Sequence, residues 1–374
     1  MREYKLSFLR DDLFSLSAYA PSQTARDSVR LDANESPYDL PQELKEKLAE
    51  YYEDYIETNR YPDGGHLTLK NLLAEYVNEG NSNPGLFDAN NISVGNGSDE
   101  LIRSVLIATC LNNRGSVLVA NPTFSMYAIL AKSLGINVVF VERNEEDFSI
   151  NLDRANRAVY GGDYPPVRVV FVVHPNSPTG NCLTGEEIKW LKGLPEDILV
   201  VVDEAYYEFS GQSLVSQLPF HPNWLILRTF SKAFRLASHR VGYAIAHPEV
   251  IAVLEKIRLP YNLPAFSQLA AQLVMENRHL LLPSVREIIG ERERVYQILT
   301  SHGEYKQFRV WPSCANFLYL RWQGEDNPEK HQLVMERLKR DKIHIRHTGG
   351  GLRISIGHQR ENDAFLQALS KLHL

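Results

Sequence analysis

A lysine just past a hydrophobic strand, with hydroxyls and an arginine around it, is equipped for amine chemistry. This chain has such a stretch at Arg228-Thr229-Phe230-Ser231-Lys232-Ala233-Phe234, followed by Arg240-Val241-Gly242-Tyr243. A lysine in that position is partly desolvated, which lowers its pKa and makes the amine nucleophilic toward an aldehyde. Thr229, Ser231 and Arg240 could share one phosphate, because hydroxyls and a guanidinium fork match its oxygens. A Ser-Lys pair on its own is more often a solvated surface pair. A second stretch, Asp203-Glu204-Ala205-Tyr206, follows the apolar run Ile198 to Val202. A carboxylate ending a buried strand loses hydration and needs a partner. A protonated heterocyclic nitrogen would serve, and so would the start of the next helix. A third, Val94-Gly95-Asn96-Gly97-Ser98-Asp99-Glu100, pairs a tight glycine turn with a helix start. Free N–H groups there suit a phosphate, although a plain capped turn has the same residues. A fourth, His174-Pro175-Asn176-Ser177-Pro178-Thr179-Gly180, is a loop held by prolines and reads alone as a rigid turn.

Several elements must position these residues. Strands are expected at Ile92 to Val94, Val117 to Ala120, Val138 to Val141, Val167 to Val173, Ile198 to Val202, Leu225 to Leu227 and Val241 to Ile245. Runs this apolar, separated by helix-period stretches, predict an α/β fold: a mainly parallel seven-stranded sheet with helices on both faces. Ligands collect beyond the C-terminal ends of such strands, and the polar stretches above follow them. From about Phe266 a long helical region runs to Ser301, broken at Pro283. Strands at Phe308 to Val310, Phe317 to Trp322, Ile343 to Ile345 and Leu352 to Ile356 then predict a smaller α+β domain, with helices at Pro328 to Lys339 and the C-terminus. The expected division is an arm and part of the small domain over 1–44, a large domain over 45–263 and the small domain over 264–374.

Composition removes other classes. The 374 residues are 44% hydrophobic and 23% charged, ordinary globular values that exclude disordered and fibrous chains. A net charge of −6 argues against a nucleic-acid binder, which needs a basic face. Apolar runs are far short of the roughly 20 residues of a membrane span. Asp11 and Asp12 interrupt what would be the apolar core of a signal peptide. Three widely spaced cysteines fit a reducing cytoplasm, and neither they nor the scattered histidines have metal-ligand spacing.

A lysine, an acid and a set of anion donors at the strand ends of one sheet is what pyridoxal 5'-phosphate requires. The lysine takes the aldehyde, the acid keeps the pyridine nitrogen protonated, and the donors hold the phosphate. The motifs go further. LDANESPYDLP (Leu31 to Pro41), RYPDG (Arg60 to Gly64), GNGSDELI, NPTFSMY, PNSPTG, DEAYYEF, TFSKAFRLASHRVGY, PYN and LRISIG occur in this order along nearly the whole chain. In that order they resemble the fold-type I pyridoxal-phosphate aminotransferases of class II, and most closely the branch acting on histidinol phosphate.

The resemblance implies roles. Lys232 joins covalently to the cofactor, Asp203 pairs with its ring nitrogen, and Tyr206 hydrogen-bonds its O3′. The backbone at Ser98 and Asp99, with Thr229, Ser231 and Arg240, holds the phosphate, joined by Tyr61 from a partner subunit in a homodimer. Phe124 keeps the stacking surface that is usually a tyrosine. Arg353 and Arg346 take the substrate's anionic groups, and Tyr19 and Tyr261 line its pocket. The implied reaction passes the amine of L-histidinol phosphate to 2-oxoglutarate in a cytoplasmic biosynthetic enzyme. An amino-acid aminotransferase or a threonine-phosphate decarboxylase of the same fold is the alternative. Three positions depart from the family pattern. Ser177 stands where Asn usually precedes Pro-Thr-Gly, leaving either Asn176 or Ser177 to make the O3′ contact. Arg235 replaces a small residue, and Ser238-His239 replaces Gly-Leu.

Overall fold

The computed structural model describes residues 6, 8–16, 25, 27–79, 85–162, 165–324 and 328–372. A first strand, β1 (Val29–Arg30), belongs to the smaller part of the molecule. The large sheet is built from β2 (Ile92–Asn96), β3 (Ser116–Asn121), β4 (Val138–Glu142), β5 (Val167–Val173), β6 (Leu199–Asp203), β7 (Trp224–Thr229) and β8 (Val241–Ala246). Their order across the sheet is β2-β8-β7-β6-β5-β3-β4. The seven expected strands are all present and mostly parallel. The exception is β8, which runs antiparallel to both neighbours, β2 and β7.

Side chains alternate across a strand, so an unbroken apolar run means that both faces are covered. In β5, Val170 and Val172 enter one core with Val200, Val202 and Ile226. Val169, Phe171 and Val173 enter the opposite core with Val201, Leu225 and Leu227. The second core is closed by helices Ser98–Cys110, Met126–Ser133 and Pro248–Ile257, through residues such as Leu101, Tyr127 and Leu254. The first is closed by helices that include Gln42–Tyr55, Leu67–Glu79 and Ala265–Glu276. Pro264 therefore opens a helix that still belongs to the large core. The buried cluster of the smaller part takes over at Val285, two residues into the helix Pro283–Ser301.

The smaller part holds β9 (Phe308–Trp311), β10 (Phe317–Trp322), β11 (Ile343–His344), β12 (Arg346–Thr348) and β13 (Gly351–Ser355). Four of these form an antiparallel sheet in the order β12-β13-β10-β9. The expected strand at Ile343 to Ile345 is not part of it. β11 instead pairs in parallel with β1, matching Val29 with Ile343 and Arg30 with His344. Leu31 N–H continues this by donating to the His344 carbonyl, and Ser355 N–H donates to the Leu31 carbonyl. The chain leaving β1 is thereby carried to the mouth of the large sheet.

Candidate active site

The C-terminal ends of β2, β3, β5, β6 and β7 open onto one cavity, and so does the N-terminal end of β8. The antiparallel direction of β8 matters here. Its register sets Gly242 beside Thr229 and Val241 beside Asn96, which puts Arg240 among the ends of the parallel strands. An inner chamber of about 120 Å³ is lined by Ser98, Asp99, Phe124, Ser177, Asp203, Tyr206, Thr229, Ser231, Lys232 and Arg240, among others. It continues into an outer chamber of about 370 Å³ that adds Asp32, Ala33, Asn34, Arg346, Thr348 and Arg353.

Asp203, the last residue of β6, is 3% exposed. Its Oδ2 accepts from the Tyr127 hydroxyl at 2.7 Å and its Oδ1 from the Ala205 N–H at 3.0 Å. Burial pushes the carboxyl up to about 6, and those two donors hold it from going higher. It is an acid still in need of positive charge. Tyr127 is fully buried, stacks on Phe171 with centroids 4.5 Å apart, and meets Phe124 edge-on at 5.5 Å. Sequence reasoning missed it. The signal was available: it closes the NPTFSMY stretch, three residues after Phe124 and in the first turn of the helix Met126–Ser133.

Lys232 Nζ donates to the Ala33 carbonyl at 3.0 Å and lies 6.0 Å from the centre of the Tyr206 ring. Burial lowers its pKa, the direction that an amine nucleophile needs. The Tyr206 hydroxyl accepts from Asn34 Nδ2 at 3.0 Å. Asn34 is itself held by Ser355 and Asn316. It lies inside the first motif, yet no local feature marked it as a site residue.

At the other end, the Ser231 N–H donates to Thr229 Oγ1, and the two hydroxyl oxygens are 3.1 Å apart. Arg240 reaches Ser231 Oγ, the Ala237 carbonyl and Asp99 Oδ2, each at 3.3 Å. The helix beginning at Ser98 has no side-chain cap, so its first N–H groups face this cluster. Two glycines make the approach possible. A Cβ at Gly97, where φ is +74°, would lie 2.7 Å from the Arg240 guanidinium. One at Gly242 would lie 2.5 Å from Ser98 N.

In the outer chamber, Arg353 donates to the Asp32 carbonyl at 2.6 Å and to Ser177 Oγ at 3.3 Å. Arg346 is its direct partner across β12 and β13. At the open choice of Asn176 or Ser177 the two side chains go different ways. Asn176 does not line the cavity. Its amide nitrogen donates to Pro122 O and Thr179 Oγ1, and its oxygen accepts from Thr123 and Arg143. Those bonds consume the amide in bracing the loop, and Ser177 faces the cavity instead. Tyr61 and Tyr261 are also absent from the cavity wall. They stack on each other with centroids 4.5 Å apart, and Tyr61 is 81% exposed. Tyr19 lies outside the described residues. Among the described residues no group of three or more His, Cys, Asp or Glu is arranged for a metal, and no helix is long and apolar enough to cross a membrane.

The donor set fits pyridoxal phosphate. A buried acid with no cation partner among the described residues stands in one wall, an uncapped helix start with hydroxyls and an arginine in another, and a depressed lysine opens onto the same chamber. The comparisons agree. Residues 26–369 match the model of aminotransferase class I and II, and the chain belongs to that family. It is 54% identical over 374 residues to histidinol-phosphate aminotransferase of Trichodesmium erythraeum, covering 97% of this chain and 98% of that one. It is 55% identical over 368 residues to histidinol-phosphate aminotransferase 2 of a Nostoc species, covering 96% and 95%. Among solved structures it resembles the histidinol-phosphate aminotransferase from Sinorhizobium meliloti in complex with pyridoxal-5'-phosphate, with a TM-score of 0.83, 24% identity and 98% coverage of each chain.

Proposed function

We propose that this protein is a pyridoxal-phosphate-dependent transaminase. It converts L-histidinol phosphate and 2-oxoglutarate to imidazole acetol phosphate and L-glutamate, in histidine biosynthesis. Similarity above half of all positions across the full chain to two histidinol-phosphate aminotransferases supports the substrate. The observation that carries it within the site is the Arg346–Arg353 pair. The two stand directly opposite each other across the sheet and both line the outer chamber, where guanidinium forks match a phosphate or a carboxylate. The phosphate of one substrate and a carboxylate of the other are both such anions, so one pair of arginines serves both half-reactions.

Pyridoxal phosphate, when bound, supplies an electron sink for the charge left on the amine-bearing carbon. The chain's residues do the rest. Arg240, Thr229, Ser231 and the N–H groups of Ser98 and Asp99 hold the phosphate. Asp203, kept ionised at neutral pH, faces the ring nitrogen, while Tyr127 and the Ala205 N–H fix its orientation. Phe124 offers a flat face to the ring, and Tyr206 holds O3′. Lys232, as a free amine, would take the proton from the amine-bearing carbon and return it to the cofactor carbon that carries the transferred nitrogen. Its depressed pKa favours the neutral amine that can take that proton.

The reading also makes the protein a cytoplasmic homodimer. Tyr61 and Tyr261 do not line their own cavity, and Leu67 and Leu259 near them in sequence are 60% and 72% exposed. Covering such a surface with a second copy would bring Tyr61 to the partner's phosphate site. Steady-state rates test the substrate. Histidinol phosphate with 2-oxoglutarate should exceed phenylalanine at least tenfold in kcat/KM, since a lost polar partner shifts specificity by more than the roughly tenfold of a lost methylene. A preference for phenylalanine, or CO2 release from threonine phosphate without an oxo acid, would overturn it.

A further inference from the structure

Arg235 lies three residues after Lys232, in a turn where its N–H donates to the Lys232 carbonyl at 3.2 Å. Its φ is +61°, in the left-handed region that suits glycine and is unfavourable for a long side chain. The side chain must offset that strain, and its contacts show how. One terminal nitrogen donates to the Asp39 carbonyl at 2.8 Å, and the other to Ser284 Oγ at 2.7 Å. The guanidinium also stands 5.2 Å from the centre of the Tyr38 ring. Tyr38 in turn donates to Glu287 at 2.6 Å, on the helix that carries Ser284. Three parts of the chain meet on this one side chain: the lysine turn, the segment 32–39, and the helix at which the large core gives way to the smaller one.

The segment 32–39 is also the wall of the site. Ala33 accepts from Lys232, and Asn34 donates to Tyr206. We propose that Arg235 is a positioning residue. It pins the segment 32–39 against the lysine turn, and so sets Ala33 against the Lys232 amine and Asn34 against the Tyr206 hydroxyl. It touches no reacting atom itself. This inference rests on the cofactor reading above.

Arg235→Gly separates the pin from the backbone, because glycine keeps the left-handed turn without strain. The cofactor-free proteins are mixed with pyridoxal phosphate, and the growth of the visible band and its circular dichroism are recorded. The variant should melt close to the native temperature, yet form the band about tenfold more slowly and with weaker visible dichroism, as expected of a site loosened by less than the roughly 1 Å that costs about 100-fold. Arg235→Lys, which keeps the charge and one donor, should fall between. Ser284→Ala, which leaves the turn intact and removes one acceptor, should shift both readouts in the same direction by less. Native band formation and dichroism in Arg235→Gly and Ser284→Ala, with only the melting temperature lowered, would make the contacts merely structural and overturn the proposal. A native protein that forms no band would overturn the cofactor reading, and this inference with it.

Discussion

The two chambers of the cavity are built differently. The inner one is made at the ends of strands in a sheet buried on both faces. Its acid, hydroxyls and lysine each sit within a few residues of a strand terminus, and bonds of 2.7 to 3.1 Å orient Asp203, Thr229 and Ser231. The outer one is assembled from the two ends of the chain: Asp32 to Asn34 delivered by β1, and Arg346 to Arg353 on a glycine-rich hairpin. There the hairpin tip simply abuts the inner loops. A Cβ at Gly349 would lie 2.7 Å from Pro122 and 3.0 Å from Pro178. Rigid strand ends suit a cofactor whose chemistry never changes. A separate layer that leans on them suits substrates that alternate.

If that division holds, changes in the inner chamber should alter cofactor chemistry, and changes in the outer one substrate affinity. The largest effect is expected for Lys232→Ala, with kcat down about 10⁴-fold or more while cofactor is still bound weakly, as equilibrium dialysis would show. Next is Asp203→Asn, where cofactor affinity should fall about 100-fold, the scale of losing one partner of a buried charge pair.

The native Asp203 adds a pH signature. Burial raises its pKa from 3.8 to about 6, so the folded chain holds that proton where the unfolded chain has released it. Stability of the cofactor-free protein therefore declines as pH rises from 3.8 through about 6, and changes no further from this group above that. Cofactor binding runs the other way. Only the ionised carboxylate pairs with a cation, so affinity should weaken below pH about 6, with a slope that Asp203→Asn reduces. An equal slope in the variant would assign the titration to the phosphate.

In the outer chamber, Arg346→Ala and Arg353→Ala should each raise KM for histidinol phosphate about 30-fold, near the 2 kcal/mol expected for a charged hydrogen bond. Cofactor affinity should stay near native. A matching loss of cofactor would collapse the distinction between chambers. The smallest effect is expected at Tyr127→Phe, about fivefold in cofactor affinity, because Asp203 keeps its Ala205 donor. The variant's carboxyl should titrate higher, since the Tyr127 bond is one of the two that hold it down against burial.

The same contrast explains what could be read from the chain alone. Asp203, Thr229, Ser231 and Lys232 were legible as candidates because several polar stretches each follow a buried strand of one sheet, although each stretch alone had a plainer reading. The helix start at Ser98 was legible from its glycines. What was lost depended on pairing over long sequence distances. Nothing local says that Val29 pairs with Ile343, so Asn34 and Ala33 had no visible reason to meet Tyr206 and Lys232. The direction of β8 was equally hidden, since an apolar run looks the same in either sense. The helix after Pro264 was assigned to the smaller domain because the pattern changes there, but its face is buried in the large core. At Asn176 the residue type suggested a ligand contact, whereas the buried Arg143 and Thr179 claim its amide first.

One absorbance titration tests the central claim most directly. L-histidinol phosphate is added without an oxo acid to the protein carrying pyridoxal phosphate, and the long-wavelength band is followed. The account predicts that the band bleaches and that 2-oxoglutarate restores it, so that one site passes the amine in both directions. A band that ignores histidinol phosphate while bleaching with phenylalanine would contradict the assigned substrate, and no band at all would contradict the role given to Lys232.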